Sequence, residues 1–191
     1  MFDPIVTKKN GARVCVIGGG GTGAALAYDL SLRGFSVTLL EKGELTSGTT
    51  GRHHGQLHSG ARYAVGDRAI ARECMEETLA LRRIVPDAIE YNGGVFVAID
   101  DDDADYAPSF VAACLEAGIP AREVPVPEAR SWEPAINPAA KRAVWVPDGA
   151  FDAFRVPLCF FAAARRLGAV IRPFAEAVAV DASGGRVVAV V

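Results

Sequence analysis

Three glycines, Gly18, Gly20 and Gly23, followed by Glu41, carry the first recognisable chemistry of this sequence. They fit G-x-G-x-x-G with an acid 23 positions after the first glycine, close to the ~20 expected for a carboxylate on an adenosine ribose. In that pattern the first glycine permits a tight turn and the second lets a pyrophosphate approach the backbone. The third lets helix pack closely on strand. The helix opened by the turn offers N–H groups and the positive end of its dipole to phosphate. An acid at position 41 accepts from a ribose hydroxyl pair and repels a 2′-phosphate, so FAD or NAD is expected in preference to NADP. A glycine-rich turn serving packing alone would leave Glu41 unexplained.

The second set of reactive residues follows at once, in Ser47–Tyr63 (SGTTGRHHGQLHSGARY). Ordinary nicotinamide dehydrogenases place a helix after the second strand, whereas this polar segment reads as a loop running along an extended cofactor. Thr49, Thr50 and Arg52 supply hydroxyl and cationic contacts for pyrophosphate, and Gly48, Gly51, Gly55 and Gly60 allow close backbone approach. Arg52 reads equally well as a surface charge. His53 and His54 are adjacent, which rarely aims two imidazoles at one ion, and no third ligand accompanies them, so no metal is expected. Asp100–Asp103 with Asp105 reads as a solvated turn, because the glycine and distal glutamate of a calcium loop are missing. Asp148 and Asp152 read as turn or helix-cap residues before Phe154.

These residues must be positioned by an α/β framework. Arg13–Ile17 (RVCVI) reads as a buried parallel strand, Thr22–Arg33 as a small-residue helix stopped by Gly34, and Ser36–Leu40 as a second strand ending at Glu41. Together they make one βαβ unit. Arg68–Ile84 reads as a helix ending before Pro86, Gly93–Ile99 as a strand and Tyr106–Ala117 as a helix ending at Gly118. Prolines at 120, 125, 127, 134 and 138 break the next stretch into short pieces. Ala143–Pro147 is a strand, Phe154–Leu167 a helix and Ala169–Arg172 a strand. Val178–Asp181 and Arg186–Val191 pair around Ser183, Gly184 and Gly185. The expected architecture is a Rossmann-like FAD/NAD(P)-binding domain, residues 1–91 and 143–191, carrying an inserted α+β piece of a substrate domain at 92–142. The sequence stops inside an apolar strand pattern, which predicts a fragment truncated at its C-terminus.

Composition narrows the class. With 191 residues, 50% of them hydrophobic and 23% charged, the chain is long enough for a globular core. A formal net charge of −3 and scattered arginines argue against nucleic-acid binding. Cys15, Cys74, Cys114 and Cys159 have no C-x-x-C spacing and read as reduced thiols of a cytosolic protein. Met1–Arg13 lacks the apolar stretch of a signal peptide, and no run reaches the ~20 apolar residues of a membrane span. Any membrane contact is therefore expected to be peripheral or through a partner.

The run VIGGGGTGAALAYDLSLRGFSVTLLEKGELTSGTTGRHHGQLHSGARYAV resembles the opening of the FAD-dependent glycerol-3-phosphate dehydrogenases, within the wider D-amino-acid-oxidase-like flavoproteins. LEKG, SGTTGR and LHSGARYAV are most similar to the anaerobic catalytic chain of that family, as are ARECMEE, GGVFVA, AGIPA and VPDGAFDAFR. The likeness covers nearly all of this chain but only the front of the family's fold. One departure is Ala153, where the family often has proline in Asp-Pro-Phe-Arg; that proline would only pre-set a helix start.

The resemblance implies extended FAD, with adenosine at Glu41, pyrophosphate at the glycine turn and Thr49–Thr50, and isoalloxazine near His58, Ser59 and Gly60. The expected cofactor set is Gly18, Gly20, Thr22, Gly23, Glu41, Lys42, Thr49, Thr50, Arg52, Gly55, His58, Ser59 and Gly60. Arg62 would face the substrate and its phosphate, which a planar guanidinium suits; the alternative is a pairing with a structural carboxylate. His58 has two readings: a base, since an imidazole titrates near ~6.5, or a positional role beside the flavin, preferred because the sequence identifies no partner for it.

The implied activity is oxidation of sn-glycerol 3-phosphate to dihydroxyacetone phosphate by hydride transfer to FAD, with electrons passing through partner subunits to a quinone. A cytoplasmic location, peripheral at the inner face of the cell membrane, goes with it. Two alternatives stand: an FAD-dependent oxidoreductase of another 2-hydroxy acid or amine, and a catalytically inactive FAD-binding fragment.

Overall fold

The computed structural model describes residues 11–191. The expectation that Met1–Arg13 lacks a signal peptide therefore falls, for residues 1–10, outside the described residues. In chain order the elements begin with β1 (Arg13–Ile17), α1 (Gly21–Leu32), β2 (Ser36–Leu40), β3 (Gln56–Leu57), α2 (Arg68–Ile84) and β4 (Ile89–Glu90). They continue with β5 (Gly94–Ala98), α3 (Asp101–Glu116), β6 (Arg122–Val124), α4 (Val126–Trp132) and β7 (Arg142–Val146). The last are β8 (Gly149–Phe151), α5 (Arg155–Arg166), β9 (Val170–Arg172), β10 (Val180–Ser183) and β11 (Arg186–Val190). They form two compact units, residues up to His54 with Asp152–Val191, and Gly55–Phe151.

The first unit is built on a parallel sheet in the order β1-β2-β9. Val16, Val37 and Leu39 turn to its covered face, and Leu39 is wholly buried; burying such a side chain contributes about 1.5–3 kcal/mol. Helix α1 packs close because its inner face is made of Gly23, Ala24 and Ala27. Against it lies α5, with Tyr28 and Phe160 stacked at 5.5 Å between ring centroids. Ser31, also inside, satisfies its hydroxyl by donating to the Ala27 carbonyl at 2.6 Å, so the polar group costs little. The expected strand–turn–helix–strand unit is present, and Gly34, at φ 82°, follows the end of α1 as expected.

The second unit joins an antiparallel sheet β5-β7-β6 to α2 and α3, with a small sheet β3-β8-β4 beside them. It is wider than the 92–142 insertion expected from sequence. The reason lies in its core: Ala61, Ala64, Ala71 and Met75 pack with Phe110, Cys114, Ile119, Val144 and Val146, so the buried surface ties 61–75 to the later elements. Periodicity could not reveal this, because β3, β4 and β8 are two or three residues long.

The acidic run is also different from expectation. Asp100 caps α3, accepting from the Asp103 amide at 2.8 Å, and Asp101–Asp103 form the helix's first turn rather than a solvated turn. Carboxylates are stabilised there by the exposed amides and the helix dipole.

Candidate functional site

In the first unit the glycine turn connects β1 to α1. Gly18 has φ 109°, and a Cβ on Gly23 would stand 2.0 Å from the Gly18 carbonyl oxygen. Only a bare Cα lets α1 start this close to the strand. Gly20 precedes the helix without a side-chain cap, so its first amides face the turn. The Gly21 amide donates to Thr50 Oγ1 at 2.9 Å, and that hydroxyl still carries a proton with which to meet an anion. Thr22 is exposed at the same helix start.

Glu41 ends β2 opposite this turn. Its Oε2 accepts from the Gly19 amide at 2.7 Å and its Oε1 from the Gly43 amide at 2.8 Å. These two bonds, Gly19 first, hold the carboxyl below the usual carboxylate range, with the Lys42 charge a smaller aid. A carboxylate locked in its charged form at the strand end suits a ribose hydroxyl pair. Thr49, Thr50 and Arg52 share one 3₁₀ turn, Thr49–Arg52, with Thr49 and Arg52 exposed. Lys42 is exposed too. The cradle thus fits a dinucleotide: glycines where a Cβ would intrude, helix amides at the turn and a fixed carboxylate.

A depressed pKa in the folded state means that Glu41 stabilises the fold above the ordinary carboxylate value of 4.5. That contribution is lost as pH falls through the folded pKa. The gap in unfolding midpoint between wild type and Glu41→Gln should therefore narrow as pH is lowered from about 7 to about 3. A gap that stays constant would mean that the amides do not hold the charge.

The remaining expected residues belong to the second unit. Gly55 opens it at φ 75° and accepts from the Phe151 amide at 2.7 Å. His58, Ser59 and Gly60 converge on a residue whose sequence context points to a turn. Asp148 is only 4% exposed, and its Oδ1 accepts from the Ser59 amide at 2.8 Å and the Ser59 hydroxyl at 2.6 Å. Its Oδ2 lies 3.2 Å from His58 Nδ1. The turn role expected for Asp148 is thus corrected: β7 delivers it into the interior because a carboxylate can satisfy Ser59 and face His58 at once. No local spacing signals this, since the partners are 89 and 90 residues apart. Asp152 does act as a cap, accepting from the Phe154 and Arg155 amides at 2.8 and 2.9 Å; these bonds, Arg155 first, lower its pKa.

The backbone around His58 is fixed from several sides. Thr78 of α2 donates to the His58 carbonyl at 2.9 Å. Gly60, at φ 93°, brings the chain so near α2 that a Cβ would meet the Ala71 oxygen at 2.5 Å. Arg82 donates to the Pro147 carbonyl at 2.7 Å and to that of Asp148 at 3.3 Å. Arg62 is exposed, with its guanidinium 5.2 Å from the Tyr63 ring centroid. It lines a cleft of about 300 Å³ with Phe96, Tyr106, Phe110 and Arg142, a lining that does not include His58.

Among the described residues no group of three or more His, Cys, Asp or Glu is gathered for a metal ion, and His53 and His54 meet edge to face. All four cysteines are free thiols. Burial, helped by the Asp148 charge, pushes the Cys114 thiol up to about 11, which keeps it unreactive.

Comparison with known proteins adds the family context. The family model described as FAD dependent oxidoreductase matches residues 13–191. The A1 subunit of the anaerobic glycerol-3-phosphate dehydrogenase of Haloferax volcanii is 48% identical over 182 residues, covering 95% of this chain and 31% of that protein. The corresponding anaerobic glycerol-3-phosphate dehydrogenase subunit from Escherichia coli K12 is 48% identical over 158 residues, covering 83% and 29%. The chain thus spans about a third of the length of these relatives. Among solved structures, L-proline dehydrogenase from P. horikoshii superposes with a TM-score of 0.81 at 24% identity, over 94% of this chain and 48% of that one, a likeness of fold.

Proposed function

The chain belongs to the FAD dependent oxidoreductase family, and from that membership we propose that it is the FAD-binding part of a dehydrogenase that oxidises sn-glycerol 3-phosphate to dihydroxyacetone phosphate. The observation that carries the cofactor is Glu41 at the end of β2, its carboxylate bonded to Gly19 beside the glycine turn. The substrate rests on the two relatives at 48% identity.

Glu41, with Lys42 beside it, would hold the adenosine ribose, and Gly18, Gly20, Gly23, the Thr22 end of α1, Thr49, Thr50 and Arg52 the pyrophosphate. Gly55 and the His58–Gly60 segment would receive the flavin end. FAD held there would supply the two-electron acceptor for the hydride of the substrate carbon. Arg62 binds the substrate phosphate, where an exposed guanidinium can form paired hydrogen bonds to a dianion. His58 takes the proton of the substrate hydroxyl, and the Asp148 contact supports this role over a positional one, because a base held by a third group has the geometry general-base catalysis requires.

Both relatives are named as subunits, which supports an assembly with partner chains; the electron path proposed with it runs through them to a quinone. No helix among the described residues is long and apolar enough to cross a membrane. The proposed location is cytoplasmic, with peripheral attachment to the inner face of the cell membrane through those partners.

The test is anaerobic bleaching of the flavin in the full-length, FAD-loaded enzyme by a substrate panel. Glycerol 3-phosphate is expected to bleach it, with 2-hydroxy acids and amines slower by about 10²-fold or more, because Arg62 would face no phosphate. Faster bleaching by a hydroxy acid or amine would reassign the substrate.

A further inference from the structure

We propose that Asp148 is a positioning residue that fixes the His58 imidazole in the tautomer protonated at Nδ1, so that Nε2 is the nitrogen that accepts a proton. The inference rests on the reading of His58 as the base. It follows from counting donors and acceptors around one buried carboxylate.

Ser59 is fully buried and brings two donors, its amide and its hydroxyl, to Asp148 Oδ1. Those two bonds occupy that oxygen. Oδ2 then faces His58 Nδ1 at 3.2 Å, and a carboxylate oxygen only accepts, so the contact is a hydrogen bond only when Nδ1 carries the hydrogen. In a neutral ring that leaves the lone pair on Nε2. The His58 side chain is 35% exposed while Asp148 is 5%, so the carboxylate is the buried member of the pair.

The arrangement does not depend on a ligand. Thr78 holds the His58 carbonyl, Gly60 sits tight on α2, and Arg82 holds the carbonyls of Pro147 and Asp148. Both members of the pair are therefore set by backbone contacts before any substrate arrives. With FAD bound, the proton of the broken substrate O–H bond would go to Nε2, the O–H electron pair would form the second C–O bond, and the flavin would supply the acceptor for the carbon-bound hydrogen and its pair.

Asp148→Asn makes a sharp test. The Ser59 amide cannot become an acceptor, so the one remaining side-chain oxygen stays with it and the new NH₂ faces His58 Nδ1. Nδ1 must then accept, which moves the ring hydrogen to Nε2. Long-range ¹H–¹⁵N correlation spectra of the whole chain read this directly, with three histidines in the sequence and His58 assigned by its loss in His58→Gln. Wild type is expected to show a protonated Nδ1 and an acceptor Nε2 in the neutral ring, and Asp148→Asn the reverse. A wild-type ring protonated at Nε2, or a folded Asp148→Asn with an unchanged pattern, overturns the inference; the wild-type spectrum decides alone if the variant does not fold. In the full-length enzyme, Asp148→Asn should lower kcat by about 10²-fold or more while leaving KM for glycerol 3-phosphate unchanged, and a matching rise in KM with kcat intact overturns it. The base reading fails separately, if His58→Gln reduces flavin at the wild-type rate while the wild-type tautomer is as expected.

Discussion

Gly23→Val is expected to abolish FAD retention. A side chain at this position begins with a Cβ 2.0 Å from the Gly18 oxygen, a backbone atom that cannot swing aside. Either α1 moves off β1 or the turn reshapes, and both displace the amides proposed to meet the pyrophosphate. Leu39 lies 3.5 Å from the same point, so the valine methyl groups also crowd the core, at a cost of about 1–3 kcal/mol in stability. The checks are flavin absorbance after gel filtration and the unfolding midpoint. Wild-type flavin content in a folded Gly23→Val would remove the glycine turn from the cofactor site.

The second large effect is expected at His58. His58→Gln in the full-length enzyme should slow flavin reduction by glycerol 3-phosphate by about 10²–10⁴-fold, the usual contribution of a positioned base. FAD content should fall far less than the rate, because glutamine preserves a polar side chain and the backbone is held by Thr78 at the His58 carbonyl and by Asp148 at the Ser59 amide. Rapid-mixing absorbance under anaerobic conditions separates the two quantities. A loss of less than about tenfold would return His58 to the positional role.

How far these residues can be found from sequence depends on how local their partners are. The βαβ unit, its glycines and Glu41 lie within about 30 residues and obey short-range rules of strand, turn and helix, so the cofactor cradle is legible. The cap at Asp152 is legible for the same reason, since it acts on amides two and three residues away. The role of Asp148 is not: its partners come from the far side of α2, β5 and α3 in sequence, and an aspartate before glycine carries the ordinary signature of a turn. The extent of the second unit is hidden likewise, because α2 reads as an amphipathic helix whose partner the pattern does not name. Its buried Ala71 and Met75 face α3 and β7. The acidic start of α3 escapes a sequence reading because four successive aspartates look solvated, which they are, while also being a favourable first turn.

The most direct measurement is the visible absorption of the purified chain after addition of FAD and removal of the unbound excess. A flavin spectrum retained with the protein, and not displaced by NAD, is the expected result, given the cradle of Gly18, Gly20, Gly23, Thr50 and Glu41. A chain that emerges colourless yet retains NAD would contradict it and make this a nicotinamide site.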